Sequence, residues 1–166
     1  MSLNVSGGYG HCVSCEQKKY DINFWNEVKA GNHYAPSSIY ITSAGHKGFG
    51  VFAKNDIKQN EPIEYCHSLV LNDRFREVRD AKIRQYTYSV YDESSVSLGN
   101  KCIMPFGFGE IYNSAESKEE ANAKFRIYID QKLIVFRAKK DIEKDSEILV
   151  WWGDSYYNEW IKNKGI

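Results

Sequence analysis

No stretch of this chain is apolar for long enough to cross a bilayer. The longest clean run, Ile148–Trp152, falls far short of the about 20 residues a spanning helix needs. No charge of one sign dominates either: Lys plus Arg and Asp plus Glu each number 22. That balance argues against nonspecific binding to a nucleic-acid backbone, which needs a basic face. Proline is scarce, three in 166 residues, and no Pro- or Ser-rich linker divides the chain. Length and composition therefore imply one domain with an ordinary core. The opening MSLNVSGGYGHC has neither the basic start nor the apolar stretch of a signal peptide. These absences describe a soluble intracellular protein with no membrane contact and no direct nucleic-acid contact; they leave its oligomeric state open.

Cysteine is sparse as well, at Cys12, Cys15, Cys66 and Cys102. The His11-Cys12-Val13-Ser14-Cys15 cluster has the two-residue gap of a zinc knuckle, but no second close pair exists to close a four-ligand site. A remote fourth ligand would be needed, and the cysteines are read as ordinary thiols with no metal assigned. The motifs of hydrolases, zincins, P-loop proteins and dinucleotide-binding folds are all missing. All four histidines fall within the first 67 positions, so a His-centred enzyme is poorly supported. His46 and His67 are expected at the surface or in packing roles. The acidic run around Glu116–Glu120 reads as a solvated loop.

What the chain does have is aromatic residues, 14% of the total, which favour strands and aromatic-lined pockets. It also says one thing twice. Ala53–Ile63 reads AKNDIKQNEPI and Ala138–Ile148 reads AKKDIEKDSEI, each after a β-type apolar run and each leading into another. A strand, a polar turn and a second strand are used twice within one compact β-rich domain. Around this repeat the pattern is of many short strands with small helices between them. A capped helix is expected at Asp21–Gly31, strands at SIYIT and VFA, an extended Pro62–Leu71, and a helical face over Asn72–Arg84 with Asn72 as cap. QYTYSV, KCIM and EIY read as further strands, with Asp92–Ser95 as a turn. Phe125–Asp130, a turn at Asp130-Gln131-Lys132 and LIVF form the clearest hairpin.

Three places could carry chemistry. Gly48-Phe49-Gly50 sits between two strands, where bare backbone can lie against a ligand. Tyr112-Asn113 ends a strand before the acidic loop, and a buried Asn offers donors and an acceptor. Ile148–Asp154 delivers Trp151, Trp152 and Gly153 at a strand end, suited to an aromatic wall.

Taken in order, these segments resemble the SET domain. Gly48-Phe49-Gly50-Val51-Phe52-Ala53, Asp56-Ile57 and the Ile-Glu-Tyr strand look like its opening. Tyr112-Asn113, Asn122-Ala123, Val135-Phe136-Arg137-Ala138, Asp141-Ile142 and Glu147-Ile148-Leu149-Val150 look like its close. NSAESKEEANAKF and EILVWWGDSYY are most similar to the PR-type subclass, whereas IEYCHSLVL and GFGEIYN are closer to small stand-alone SET proteins. The resemblance spans residues 38–157, with 1–37 as a leader carrying a short helix and 158–166 as a tail packing on the domain. It implies a mixed, mainly β fold of the β-clip type, small sheets with a threaded C-terminal segment and a few short helices. It implies S-adenosylmethionine as methyl donor and a lysine of a protein or peptide substrate as acceptor. By position, Gly48, Phe49, Gly50, Tyr112, Asn113, Ser114 and Trp152 would lie at the cofactor, and Tyr65 would line the lysine channel. The family tyrosine before the closing glycine is Trp152 here, and Tyr156 stands nearby to take its part; Trp160 is the candidate for completing the channel. A silent module that binds cofactor or peptide is the rival reading, and a β-rich binding protein alike only in architecture is a third.

Overall fold

The computed structural model describes residues 37–91 and 97–154. The leader, the His11/Cys12/Cys15 cluster, the Asp21–Gly31 helix, the Asp92–Ser95 turn, Tyr156, Trp160 and the tail lie outside the described residues. Strands dominate. A hairpin of β1 (Ile39–Ser43) and β2 (Phe49–Ala53) forms a two-stranded sheet, joined through a single 3-10 turn at Gly45–Lys47. The larger sheet runs β4-β5-β3-β8-β7-β9-β6. Its strands are β3 (Pro62–Leu71), β4 (Tyr88–Tyr91), β5 (Ser97–Pro105), β6 (Asn113–Ser114), β7 (Ala123–Tyr128), β8 (Leu133–Ala138) and β9 (Leu149–Val150). Pairing is antiparallel except for β6–β9 and β7–β9, which are parallel.

The core sits on β3 and β8. LIVFRA of β8 is buried at all six positions; its LIVF start is the continuous apolar run expected of a central strand, and Arg137 is buried beyond it. Phe136 and Ile134 there are fully buried and pack with Ile63, Ile103, Ile127 and Val150. The β7–β8 hairpin turns at residues 129–132, with Lys132 at φ 53°.

The repeated phrase proves to be a reciprocal pair. Ile57 and Ile142 exchange both backbone bonds at 2.9 Å. Asn60 N–H donates to the Ala138 carbonyl at 2.9 Å, and Asp145 N–H donates to the Ala53 carbonyl at 2.7 Å. Asp56 accepts from Lys144 N–H at 2.9 Å, and Asp141 accepts from Gln59 N–H at 2.8 Å. Each bond has its counterpart with the two copies exchanged. Asn60 and Asp145, equivalent in the repeat, share the left-handed conformation at φ 69° and 63°; short polar side chains tolerate it best. The two turns thus satisfy one another's backbone.

Several local expectations are corrected. The Asn72–Arg84 segment is not one helix but two single turns, α1 (Arg74–Glu77) and α2 (Ala81–Arg84). Their caps are Asp73 and Asp80, whose carboxylates accept N–H bonds two and three residues on, and not Asn72. Only Val78 of its apolar residues is buried, while Phe75 and Ile83 face solvent. EIY is a turn, with Ile111 N–H bonded to the Phe108 carbonyl at 2.8 Å. Asn113 accordingly begins a strand and does not follow one.

Candidate functional site

The glycine bend is built by backbone geometry that only glycine adopts readily. Gly48 has φ 83° and ψ −125°, a combination a Cβ would strain. A Cβ placed there would meet nothing within 4 Å, so the peptide faces open space. Phe49 follows, 70% exposed. Gly50 is the reverse case: a Cβ there would lie 2.7 Å from Glu147 Oε1 and 3.0 Å from Asn113 Nδ2.

Asn113 therefore sits directly against the bend. Its Nδ2 donates to the Phe49 carbonyl at 3.1 Å and to Glu147 Oε1 at 2.8 Å. Both partners are acceptors, so the amide orientation is fixed and both its protons are spent. Oδ1 receives no hydrogen bond from a described residue, which leaves Asn113 presenting an acceptor. Glu147 is in turn paired with the Lys47 ammonium through Oε2 at 2.5 Å. A cation, a carboxylate and an amide oxygen that accepts from no described residue are thus ordered beside bare glycine backbone. Such a constellation suits a zwitterionic amino-acid head, with a donor for its carboxylate and an acceptor for its ammonium.

Among the described strands β6 pairs with β9, in parallel, through Asn113↔Leu149 and Ser114↔Val150. Ser114 donates its hydroxyl to the Ala115 carbonyl at 2.9 Å. Tyr112 turns its side chain the other way, into the core: it is 4% exposed, stacks on Phe136 with ring centroids 4.3 Å apart, and donates to Glu64 Oε2 at 2.9 Å. Of the proposed cofactor residues, then, the structure gathers Gly48, Phe49, Gly50 and Asn113, keeps Ser114 next in the strand, and buries the Tyr112 ring behind them.

Trp152 is half-buried in an aromatic group, 4.9 Å from Tyr88 and 5.1 Å from Phe125 between ring centroids. Tyr88 packs edge-on to Phe125 at 5.5 Å and donates its hydroxyl to the Gly109 carbonyl. Tyr65 packs in a buried cluster with Tyr128, Leu133 and Val135.

Two carboxyls behind the site are perturbed. Burial raises Glu64 above the ordinary range, against the lowering effect of bonds from Phe108 N–H, the Tyr112 hydroxyl and the Cys66 thiol. Burial alone pushes Glu110 up to about 8, and its Oε1 is buried without a hydrogen-bond partner. Desolvation pushes the Cys66 thiol far up, leaving it inert.

Glu64, Lys47, Glu147, Tyr88 and Phe125 are the residues that sequence reasoning passed over as site members. For Glu147 a signal existed: its counterpart in the first copy of the repeat is Pro62, so a charged side chain stands where the repeat does not require one. Among the described residues no group of three or more His, Cys, Asp or Glu is placed to hold a metal, and no helix is long and apolar enough to cross a membrane.

The likeness to known proteins is one of family and fold. The family model described as SET domain matches residues 48–153, more than half of the chain. No curated protein sequence matches it. Among solved structures, a putative histone methyltransferase of Plasmodium falciparum superposes with a TM-score of 0.55 at 27% identity, covering 72% of this chain and 96% of that one. ATXR5 in complex with histone H3.1 mono-methylated on R26 superposes at 0.59 with 16% identity, covering 87% of this chain and 68% of that one. SET8 of Cryptosporidium gives 0.59 at 17% identity, covering 88% and 70%.

Proposed function

The chain belongs to the SET-domain family, and from that premise we propose that it transfers a methyl group from S-adenosylmethionine to a lysine side chain of a protein or peptide. The observation that carries this reading is the convergence of Gly48–Gly50 with Asn113, 64 residues away along the chain. The residues present fit the donor. Asn113 Oδ1 would accept from its ammonium, Lys47 would meet its carboxylate, and the open face of Gly48 beside the exposed Phe49 ring would receive its flat base. The bound donor supplies an electrophilic methyl on a sulfonium.

The chain's own part is to orient and to desolvate. A lysine amine must be neutral and in line with the methyl; burial among rings favours loss of its proton, and confinement replaces an encounter in solution. Tyr88, Phe125 and Trp152 offer such a wall, with Tyr65 and Tyr156 as the further channel residues proposed by family resemblance. The lysine nitrogen would take the methyl and the positive charge, the sulfur–carbon bond would break with its electron pair kept by sulfur, and a neutral thioether would be left. The histone-bound neighbour supports a peptide as acceptor.

A second reading, a silent module that binds donor or peptide, is favoured by Trp152. Its indole N–H donates but cannot accept, and its ring is packed against Tyr88 and Phe125. Two measurements test these readings. Asn113→Ala weakens donor affinity about tenfold by calorimetry, the loss of one polar contact; unchanged affinity removes Asn113 from the site. Methyl incorporation into a mixed protein lysate by wild type and by Trp152→Tyr then decides activity. Transfer by both supports the enzyme, whereas a silent wild type with an active Tyr variant supports the module.

A further inference from the structure

Glu64 is a carboxylate in the wrong place for solvent. It lies mid-strand in β3 at 2% exposure, and no cation pairs with it among the described residues. A buried carboxylate without a countercharge is costly and persists only where hydrogen bonds compensate. Here every compensating donor is neutral, and two come from one loop. Oε1 accepts the Phe108 N–H at 2.8 Å, and Oε2 accepts the Tyr112 hydroxyl at 2.9 Å. The same loop closes on the carboxylate at Gly107, where φ is 92° and a Cβ would stand 2.7 Å from Oε1. The next residue after Tyr112 is Asn113.

The sheet does little to fix that residue by itself. β6 is two residues long and meets β9 at two register positions. What holds the approach to Asn113 is the loop 106–112, clasped on Glu64 at both ends. We infer that Glu64 is a positioning residue for the methyl-donor site: it sets the loop that aims the Asn113 amide, without touching the donor itself. This rests on the functional reading above. The raised proton affinity of Glu64 agrees with a group kept buried for its contacts and not for its charge.

A glutamine can replace it geometrically. Its carbonyl accepts from Phe108 N–H and its amide donates to the Tyr112 oxygen, whereas alanine leaves both without a partner. Glu64→Ala is therefore expected to weaken S-adenosylmethionine binding about tenfold by calorimetry, well below its unfolding temperature, while Glu64→Gln stays within about threefold of wild type. Wild-type affinity in a folded Glu64→Ala overturns the inference, as does equal loss in the Gln and Ala variants. If Glu64→Ala does not fold, Tyr112→Phe tests the same link, since it keeps the ring on Phe136 and removes only the hydroxyl. It should bind the donor about threefold to tenfold more weakly, and unchanged affinity counts against the inference. If wild type ignores the donor, the functional reading fails first. Amide exchange across residues 107–114 then decides: faster exchange there in Tyr112→Phe, with β8 unaffected, supports the clasp, and unchanged exchange overturns it.

Discussion

Gly50 and Gly48 look alike in sequence and do different work. Gly48 supplies a backbone angle; Gly50 supplies space for two side chains. An alanine at 48 strains the backbone by about 1–3 kcal/mol but intrudes on nothing within 4 Å. An alanine at 50 drives its methyl into Glu147 Oε1, 2.7 Å away, and so displaces the carboxylate that holds Asn113. Gly50→Ala should thus lose donor affinity by about tenfold or more, the result of a broken half-buried hydrogen-bond network. Gly48→Ala should lower the unfolding midpoint most and, with its methyl on the face proposed for the donor's base, weaken donor binding by less than Gly50→Ala does. Calorimetric titration beside a thermal scan separates the two, and the reverse ranking would contradict the assignment. That glycines matter here was legible from their place between two strands. Which one answers to side chains was not, because Glu147 approaches from 97 positions away.

Among elements, the repeated phrase is the most informative. Sequence periodicity gave its strands and turns, and the structure adds that the copies bond to each other. Ile57 and Ile142 lie at the bridge, 2% and 3% exposed. Replacing either by Ala should cost about 2–5 kcal/mol. Because they share one cluster, the double variant should depart from the sum by about 0.5–3 kcal/mol. Urea unfolding of the two singles and the double measures this; strict additivity would mean the two turns are stabilised independently. The Asn72–Arg84 element shows the opposite lesson. Its apolar spacing suggested one helix, yet two aspartates, Asp73 and Asp80, each start their own turn. Side-chain caps competed with helical continuity and broke it.

At the scale of the whole molecule, buried carboxyls tie stability to pH. Glu110 keeps its proton to about 8 when folded, against an ordinary value of 4.5. Between those values the unfolded chain binds fewer protons than the folded one, so stability falls as pH rises and levels off above about 8. Glu64 shifts in the same direction. Glu110→Gln removes its share of this slope. Its unfolding midpoint should exceed that of wild type by about 2–4 °C at pH 8.5 and match it at pH 4.5. Parallel profiles across that range would show that Glu110 titrates normally.

Chain-local physics was readable without coordinates: the twofold phrase, the alternation of β7, the apolar run of β8 and the bend at Gly48 follow from short-range sterics and residue type, and the ordered motifs carried the family resemblance. Tertiary structure alone decided which distant groups meet. Asn113 reaches Phe49 and Glu147 across 64 and 34 residues, and Glu64 reaches Tyr112 across 48. No local pattern carries such pairings, because strand order and register are settled by burial of the whole core. A buried glutamate in β3 reads in sequence like any polar position of a strand, and only the loop folded over it reveals its part.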